Sequence, residues 1–455
     1  MQTWRVWIAI IAAKTTKRLL SLMGRKGTTL PGAVALRVCP DLLQFYGARL
    51  AGRIVFVTGT NGKTTTSNLL ANFLRKDGRD VISNSLGANL IQGITAALVE
   101  GVSLTKARKQ SAVLEVDEAT IGKVIESLQP AAVVVTNFFR DQMDRYGEVD
   151  TVVNMVGEAL ERSGKNTAII LNADDPLVSS IAPQGKKVLY YGIQSTDIPM
   201  DEQGEVRDGK FCRRCGSTLR YNLYHYGQLG FYECPGCGFK RQFPDQAAEH
   251  VRVRDGGIQF QLDGETGFLH SPAFYNVYNA LAAIATARVL GVGSDVIREE
   301  MRNLNTGLGR MERIFVNDGQ DTMLALVKNP TGCNQVLKVV SQMEKPVDMV
   351  FILNDRYADG TDVSWIWDTH LERLQEQKKL RRIVVAGTRA HDMAVRFKYA
   401  GLGHVTSVQE GDLAAVDAAL SELPADHTLF ILSTYTSLYA VRDHLLEKGR
   451  VAVEA

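Results

Sequence analysis

The sequence predicts an α/β protein in which mostly parallel β-sheets are covered by helices. A short apolar run at 53–58 leads through a glycine-containing loop into a helical pattern at 67–76. Further apolar runs at 111–116, 131–136 and 167–172 alternate with helical patterns, as in successive βαβ units. The first of these units has the strand–loop–helix order of a nucleotide-binding sheet.

Composition limits the function classes. The chain has 455 residues, of which 45% are hydrophobic, and this excludes a largely disordered protein. The formal net charge is only +2, which argues against a broadly basic nucleic-acid binder. No apolar run approaches the roughly 20 residues of a membrane-spanning helix.

Changes in pattern along the chain predict its domain organisation. We expect an N-terminal helical segment at 1–50 and a nucleotide-binding domain at 51–305, interrupted by an insertion at about 206–243. A second, Rossmann-like α/β domain is expected at 306–455. Its predicted strands are 348–353, 382–386 and 428–432, and its predicted helices are 367–379 and 436–448.

The first residues combine apolar and basic side chains. The basic residues Lys14, Lys17 and Arg18 follow the apolar run, which is the reverse of the order in a signal peptide. Two interpretations remain open. The segment is either an amphipathic helix packed on the protein or a helix that rests on an anionic membrane surface.

The glycine loop has the pattern Gly59-x-x-Gly62-Lys63-Thr64. Glycines let the backbone approach phosphate oxygens, and the following helix N-terminus presents free N–H groups to them. We therefore expect ATP to bind here, with Lys63 on the β and γ phosphates and the Thr64 hydroxyl on Mg²⁺. The alternative is a purely structural glycine turn.

Four cysteines lie in the predicted insertion in two C-x₂-C pairs, Cys212 with Cys215 and Cys234 with Cys237. This spacing is typical of a Cys₄ zinc ribbon, in which four thiolates close a tetrahedral shell around a structural Zn²⁺. Redox pairs or free thiols are the alternative. The remaining cysteines, Cys39 and Cys333, are expected to be buried.

The segment Thr58-Gly-Thr-Asn-Gly-Lys-Thr-Thr-Thr66 resembles the ATP loop of the Mur ligase superfamily. Members of that superfamily phosphorylate a carboxylate and let an amine displace the phosphate. Other segments resemble further family motifs: Leu114–Glu118, Thr136–Asn137, Asp141–Tyr146, Asn172–Asp175, Asn276–Ala283 and Gly309–Arg313.

The resemblance implies roles for individual residues. Lys63 and Glu115 would be catalytic, and Thr64 and Glu115 would hold Mg²⁺. The residues expected to bind ATP are Gly59, Thr60, Asn61, Gly62, Lys63, Thr64, Thr65, Asn137, Asn276 and Arg310.

This sequence departs from the amino-acid-adding members of the superfamily at two places. Gln142 stands where those members have a histidine that helps to hold a second metal, and no lysine occurs at 154–158, where they often carry a carbamylated one. Both departures alter the surroundings of the second metal. They indicate a shared acyl-phosphate step with a different nucleophile.

Carboxylates and aromatic residues cluster at 353–368, directly after a predicted strand. Together with the segment 326–332 and the cysteine insertion, this cluster resembles the synthetase subunits of lipid II isoglutaminyl synthases. The resemblance implies a glutamine amidotransferase partner that supplies ammonia, and a cytoplasmic chain acting on lipid II at the inner face of the membrane. Asp355 matches the aspartate expected to complete the partner's catalytic triad, with Asp359 and Asp362 as alternatives. A polar turn is the competing interpretation.

Two other functions remain open from the sequence. One is an amino-acid-adding Mur ligase or a folylpolyglutamate synthetase, which shares the acyl phosphate but uses an amino acid as nucleophile. The other is an ATP-binding zinc-ribbon adaptor without catalytic activity.

Overall fold

The computed structural model describes most of the chain, and the structural statements below refer to that part. The described residues are 3–24, 27–84, 88–102, 110–141, 148–198, 208–254, 256–305, 310–317, 319–377 and 379–451. They form one sheet of nine strands, a second sheet of seven and a separate two-stranded hairpin.

The nine-stranded sheet is built from the N-terminal two thirds of the chain. Its elements and the surrounding helices and hairpin are α1 Thr3–Leu22, α2 Leu30–Val38, α3 Leu42–Arg49, β1 Ile54–Thr58, α4 Lys63–Lys76, β2 Asp80–Ser83, α5 Ile91–Gly101, β3 Gln110–Glu115, α6 Ile121–Leu128, β4 Ala132–Val135, α7 Val149–Arg162, β5 Ala168–Asn172, α8 Pro176–Ser180, β6 Val188–Ile193, β7 Arg220–Tyr226, β8 Leu229–Glu233, β9 Gln246–Arg254, β10 Gly257–Leu262, β11 Glu265–Leu269, α9 Tyr275–Val289 and α10 Ser294–Met301.

The strand order in this sheet is β11-β10-β9-β6-β5-β4-β1-β3-β2. Pairing is parallel from β2 to β9, and β9, β10 and β11 form an antiparallel edge. The strands β1, β3, β4 and β5 are buried on both faces, because α4 and α9 cover one face and the N-terminal helices with α5 to α7 cover the other. Continuous apolar runs are the expected pattern for such strands.

The C-terminal third forms the seven-stranded sheet and its helices. Its elements are β12 Arg310–Val316, β13 Gln320–Leu326, α11 Pro330–Ser341, β14 Val347–Ile352, β15 Leu380–Ala386, α12 Ala390–Tyr399, β16 Thr406–Val408, α13 Asp412–Ser421, β17 Thr428–Ser433, α14 Tyr435–Glu447 and β18 Gly449–Val451. The order is β16-β15-β14-β17-β13-β12-β18, in which β12 and β18 pair antiparallel and the others pair parallel. Two helical layers bury the two faces of this sheet.

The N-terminal helices belong to the core of the first sheet. Val6, Ala9, Ile10 and Ala13 of α1 are buried in the same cluster as residues of α2, α3 and α5. The packed amphipathic helix expected from the sequence is therefore present. None of the helices in the described ranges is long and apolar enough to span a bilayer.

The predicted α/β class and the buried strands that define it are confirmed, but the predicted helix at 367–379 is wrong. The chain there forms two short 3₁₀ turns, Ser364–Asp368 and Leu371–Glu376. Side chains from elsewhere bind the backbone groups that an α-helix would use. Arg396 donates to the carbonyls of Ile366 and Thr369, and the Asn334 side chain accepts from the His370 N–H. These tertiary hydrogen bonds outweigh the local helical tendency.

Candidate active site at the meeting of two domains

The glycine loop lies between β1 and α4, at the carboxyl end of the parallel strands. Gly59 and Gly62 have φ angles of +113° and +87°. A Cβ atom at Gly59 would lie 2.4 Å from Thr136 Oγ1, and one at Gly62 would lie 2.1 Å from Asn279 Oδ1. Both positions therefore require glycine for backbone conformation and for space.

The ammonium group of Lys63 is buried under this loop. Its Nζ donates to the carbonyls of Gly59 and Thr60 and lies 3.1 Å from Glu118 Oε1. Burial by itself lowers the pKa of Lys63, but nearby carboxylates, of which Glu118 contributes most and Glu115 next, outweigh it and raise the pKa. Lys63 is therefore a cation placed beside the loop.

Glu118 is a site residue that sequence reasoning missed. The family motif assigned a role only to Glu115, three residues earlier, although the Leu114–Glu118 segment carries three acidic side chains. The short turn after β3 directs the Glu118 side chain back to Lys63. The signal was present in the sequence, but only the fold shows which carboxylate meets the lysine.

Thr64 and Glu115 come together as the resemblance implied. The Thr64 hydroxyl donates to Glu115 Oε2 at 2.7 Å, and Asn89 Nδ2 donates to the other carboxylate oxygen at 3.2 Å. The Asn84 side chain accepts from the Glu115 N–H and donates to the Glu115 carbonyl, so it fixes the backbone at Glu115. A hydroxyl and a carboxylate held rigidly side by side form a hard oxygen donor pair that suits Mg²⁺.

Asn137 and Asn276 form hydrogen bonds that hold the surroundings of the glycine loop in place. Asn137 Oδ1 accepts from the Asn61 N–H at 2.9 Å, and its Nδ2 donates to the Asn61 carbonyl at 3.1 Å. Asn276 is fully enclosed and accepts a hydrogen bond from Asn279 Nδ2, whose Oδ1 faces Gly62. The side chain nearest the loop on α9 is therefore that of Asn279, while the predicted contacts of Asn137 and Asn276 with ATP stay predictions.

The C-terminal domain supplies two further residues to the loop. Lys328 forms an ion pair with Asp141, and Asn329 Nδ2 donates to Asn61 Oδ1 at 3.0 Å. Asn329 also caps α11 by accepting from the Gly332 N–H at 2.8 Å. The segment 326–332 supported the family resemblance, but its reach to the loop was not predicted. The feature of the sequence that could have indicated these contacts is a strand followed by Asn-Pro and the start of a helix.

A cleft of about 270 Å³ opens between these groups. Loop residues and Lys328 line it together with Tyr357 and Tyr435 of the C-terminal domain, and its acidic lining residues are Glu115, Asp117, Glu118 and Asp141. A smaller adjoining cavity is lined by Thr65, whose Oγ1 is buried without a hydrogen-bond partner in the described structure. A buried hydroxyl without a partner fits a polar group of a bound nucleotide.

The four paired cysteines converge on one point. Their Sγ atoms all lie within 4.8 Å of one another, with 3.6 Å between Cys212 and Cys237 and 3.4 Å between Cys215 and Cys234. A tetrahedral Zn²⁺ with bonds of about 2.3 Å separates its sulfurs by about 3.8 Å. The arrangement is therefore close to that of a metal centre and could hold a zinc ion.

The three candidate aspartates of the C-terminal domain differ in their surroundings. Asp359 is buried, and both of its carboxylate oxygens accept from Thr436 at the start of α14. Asp362 caps the adjacent turn through the Ser364 N–H. Asp355 is partly exposed, its Oδ1 accepts from the Thr388 hydroxyl at 2.8 Å, and its Oδ2 lies 3.7 Å from Arg389 Nη1. Asp355 is thus held in place while it still faces solvent.

Some predicted positions lie outside the described residues. These are Gln142 and the rest of 142–147, Gly309 and the side chain of Arg310. The stretch 154–158, which lacks the family's lysine, lies within helix α7.

The close approach of Gly62 to Asn279 generates a prediction. Gly62→Ala should weaken nucleotide binding at least about tenfold, because the new methyl group forces the loop away from α9. Gly185→Ala is the matched control, since Gly185 also has positive φ, +71°, but has open space around it. Both variants should lose stability from backbone strain, by about 1 kcal/mol. Calorimetric titration with a non-hydrolysable ATP analogue makes the comparison, and equal affinities in the two variants would refute it.

Comparisons with known proteins agree with this architecture. The family model described as Mur ligase middle domain matches residues 57–223, and the one described as MurT ligase C-terminal matches residues 326–438. Among solved structures, a pseudomurein peptide ligase type C from Methanothermus fervidus superposes with a TM-score of 0.68 at 24% identity. That match covers 90% of this chain and 80% of the other, and it supports the shared fold.

Curated relatives match almost the whole chain. The lipid II isoglutaminyl synthase (glutamine-hydrolyzing) subunit MurT of Staphylococcus aureus strain COL is 36% identical, over 97% of this chain and 98% of its own length. The corresponding subunit of Streptococcus pneumoniae strain R6 is 34% identical, over 98% of both chains. Identity of this extent, across both sheets and the cysteine insertion, shows that the chain belongs to the MurT family of Mur ligases.

Proposed function

We propose that this chain is the ATP-dependent synthetase subunit of a lipid II isoglutaminyl synthase. Its reaction converts the α-carboxyl of D-glutamate in the lipid II stem peptide to the amide of D-isoglutamine. The observation that carries the proposal is the cleft in which Lys63, the Thr64–Glu115 pair and Lys328 face one another. The relatives of similar length named as MurT subunits support the substrate.

The first step is phosphoryl transfer to the substrate carboxylate. A carboxylate oxygen attacks the γ-phosphorus of ATP, and ADP leaves with the electrons of the broken P–O bond. Lys63 would exchange its contacts with the Gly59 carbonyl and Glu118 for phosphate oxygens. Thr64 and Glu115 would hold Mg²⁺, which supplies positive charge to the phosphates. Catalysis of this step is mainly positioning and charge neutralisation.

The second step is amide formation. Ammonia attacks the carbonyl carbon of the acyl phosphate, inorganic phosphate leaves, and the nitrogen loses one proton. Only unprotonated ammonia is a nucleophile, so a site shielded from water favours the reaction. The two domains close over the loop through Lys328 and Asn329, and this closure provides such shielding.

Ammonia is supplied by a separate glutamine amidotransferase subunit of the GatD type. Asp355 completes the catalytic triad of that partner by orienting its histidine and stabilising the imidazolium. The partial exposure of Asp355 supports this role, whereas Asp359 is buried with both carboxylate oxygens hydrogen-bonded to Thr436. The cysteine quartet holds a structural Zn²⁺ that stabilises the fold of the insertion. The subunit acts at the cytoplasmic face of the membrane, where lipid II is amidated.

Loss of the synthetase site should affect both nitrogen sources. Lys63→Ala and Glu115→Ala should each lower amidation at least about a hundredfold, whether glutamine with the partner or ammonium chloride supplies nitrogen. Lys76→Ala, at the exposed end of the same helix, is the control. The readout is the mass of the lipid II product, which changes when a hydroxyl is replaced by an amino group. Retention of amidation in Lys63→Ala would exclude the proposed site.

Replacing Asp355 should affect glutamine-dependent and ammonia-dependent amidation differently. Asp355→Asn should lower glutamine-dependent amidation by about 10³- to 10⁴-fold and leave ammonia-dependent amidation within about twofold of the parent. Asp362→Asn, which changes the other exposed candidate of the same loop, should leave both activities unchanged. Equal losses with both nitrogen sources would show that Asp355 acts in the synthetase site or in folding instead.

The zinc assignment predicts about one Zn²⁺ per chain. Cys212→Ser and Cys234→Ser should lose that metal and become sensitive to proteolysis within the insertion, because the metal replaces a hydrophobic core there. Cys39→Ala, which alters a buried cysteine far from the quartet in sequence, should keep it. Elemental analysis and limited proteolysis provide the measurements. Metal-free parent protein with an intact insertion would contradict the assignment.

The amino-acid-adding alternative is tested in the same assay. Addition of single amino acids in place of ammonia would yield a larger mass increase if the chain were a ligase of that kind. We expect no such product. ATP binding without any product from either nucleophile would instead favour the adaptor function.

A further inference from the structure

Helix α1 has one buried and one exposed apolar face. Val6, Ala9, Ile10 and Ala13 pack on the protein. The opposite face is exposed, and its Trp7, Ile11 and Leu22 side chains have 52%, 61% and 79% of their surface accessible. The other large apolar residues of this exposed face are Trp4, Ile8 and Leu19, and Met23 follows directly.

The exposed apolar residues form a strip along one side of the helix. By the helical spacing of three and four residues, positions 4, 7, 8 and 11 share this side with positions 19 and 22, and Thr15 and Arg18 lie between the two groups. Single exposed apolar residues are ordinary on protein surfaces, but a strip this long with two tryptophans marks an interaction site.

The charged residues of α1 itself are all basic, and its Lys17, on the side away from the strip, pairs with Glu100 of α5. Residues 1–40 contain seven Lys or Arg residues and no Asp or Glu, although the whole chain has a net charge of only +2. Arg5, Lys14 and Arg18 are exposed. By helical spacing, Arg5 and Lys14 lie at the two edges of the strip and Arg18 lies within it. A partner for this surface must therefore be apolar and anionic.

The chain that follows the strip reaches the lining of the cleft. After Met23 the chain leads to Thr29, which lines the main cleft beside Lys63 and Glu115, and Leu30 next to it is half exposed. Gly27, two residues before Thr29, lies against the Leu20 side chain of α1, so the C-terminal end of the strip lies near the cleft lining.

We propose that the outward face of α1 binds the surface of an anionic lipid bilayer. The tryptophan and isoleucine side chains enter the head-group region, and the basic residues at the strip contact lipid phosphates. The binding itself does not depend on the proposed function. Only its purpose rests on that function, because membrane binding would bring the cleft to a substrate whose lipid tail lies in the bilayer.

A second copy of the chain is a poorer occupant for the same surface. A two-fold symmetric contact through α1 would place the strip and its basic residues against an identical strip with the same basic residues. Like charges facing one another across an interface are repelled, whereas an anionic bilayer attracts all of them.

Sedimentation with lipid vesicles tests the proposal without any substrate. The full chain, in complex with its partner where available, is mixed with vesicles of phosphatidylcholine alone or of phosphatidylcholine with phosphatidylglycerol. We expect binding to the anionic vesicles that weakens as salt rises. The variant Trp7→Ser/Ile8→Ser/Ile11→Ser should bind at least about tenfold more weakly, and Lys14→Gln/Arg18→Gln about fivefold more weakly per charge removed.

The control variant is Val253→Ser/Val395→Ser/Val408→Ser, which removes three exposed apolar side chains from scattered sites. It should bind vesicles as the parent does. Circular dichroism and nucleotide binding verify that every variant is folded. Absence of parent binding to anionic vesicles, or equal binding by the parent and the α1 variants, would overturn the proposal. A parent that is dimeric in solution and does not bind vesicles would assign the strip to a second copy instead.

Activity measurements separate this inference from the proposed function. The α1 variants should amidate a short-tailed, water-soluble lipid II analogue like the parent and lose activity only on vesicle-embedded lipid II. Failure of the parent on both substrates would refute the proposed function while the vesicle-binding result still stands. Equal activity of parent and α1 variants on embedded substrate would refute the role of α1 in substrate access.

Discussion

The buried ammonium group of Lys63 is the charge on which the arrangement of the cleft depends. An isolated cation in this position would be strongly destabilising, so the surrounding chain has to supply acceptors for it. The loop carbonyls of Gly59 and Thr60 and the carboxylate of Glu118 do so. These same groups can be exchanged for phosphate oxygens. The resting contacts of Lys63 therefore keep the lysine charged beside the proposed nucleotide site.

Closure of the site depends on a second set of contacts, between the two sheets. Asn61 is held from the first domain by Asn137 and from the second by Asn329, so the tip of the loop is fixed from both sides. The pair of Lys328 with Asp141 adds a second link between the domains. Because both links end beside the glycine loop, movement between the domains would change the loop surroundings directly. This coupling suits the proposed reaction, in which water has to be excluded from an acyl phosphate.

The cysteine insertion is anchored by a buried polar network. Asp174, at the end of β5, accepts from Tyr278 Oη at 2.8 Å and from Arg241 Nε at 2.6 Å. Burial alone would raise the pKa of Asp174, but the hydrogen bond with His225 and the charge of Arg241 hold it below its usual value. His225 lies on β7 and Arg241 follows the fourth cysteine, so an ionised carboxylate joins both sides of the insertion to the nine-stranded sheet. The cysteine insertion is thus linked to the helix that carries Asn279.

The sequence by itself determined the α/β class, the position of the glycine loop and the spacing of the four cysteines. These features depend on local patterns: a buried strand, a backbone that only glycine adopts, and a short loop between two thiols. Only the tertiary structure decided that Glu118 meets Lys63, that Asn279 rather than Asn276 faces the loop, and that Lys328 and Asn329 reach it from the second sheet. It also showed that 3₁₀ turns take the place of the predicted helix at 367–379, and that α1 has one packed face and one exposed face. Such contacts join residues that are far apart in the chain, and no local pattern encodes which of several similar side chains will meet when the sheets pack.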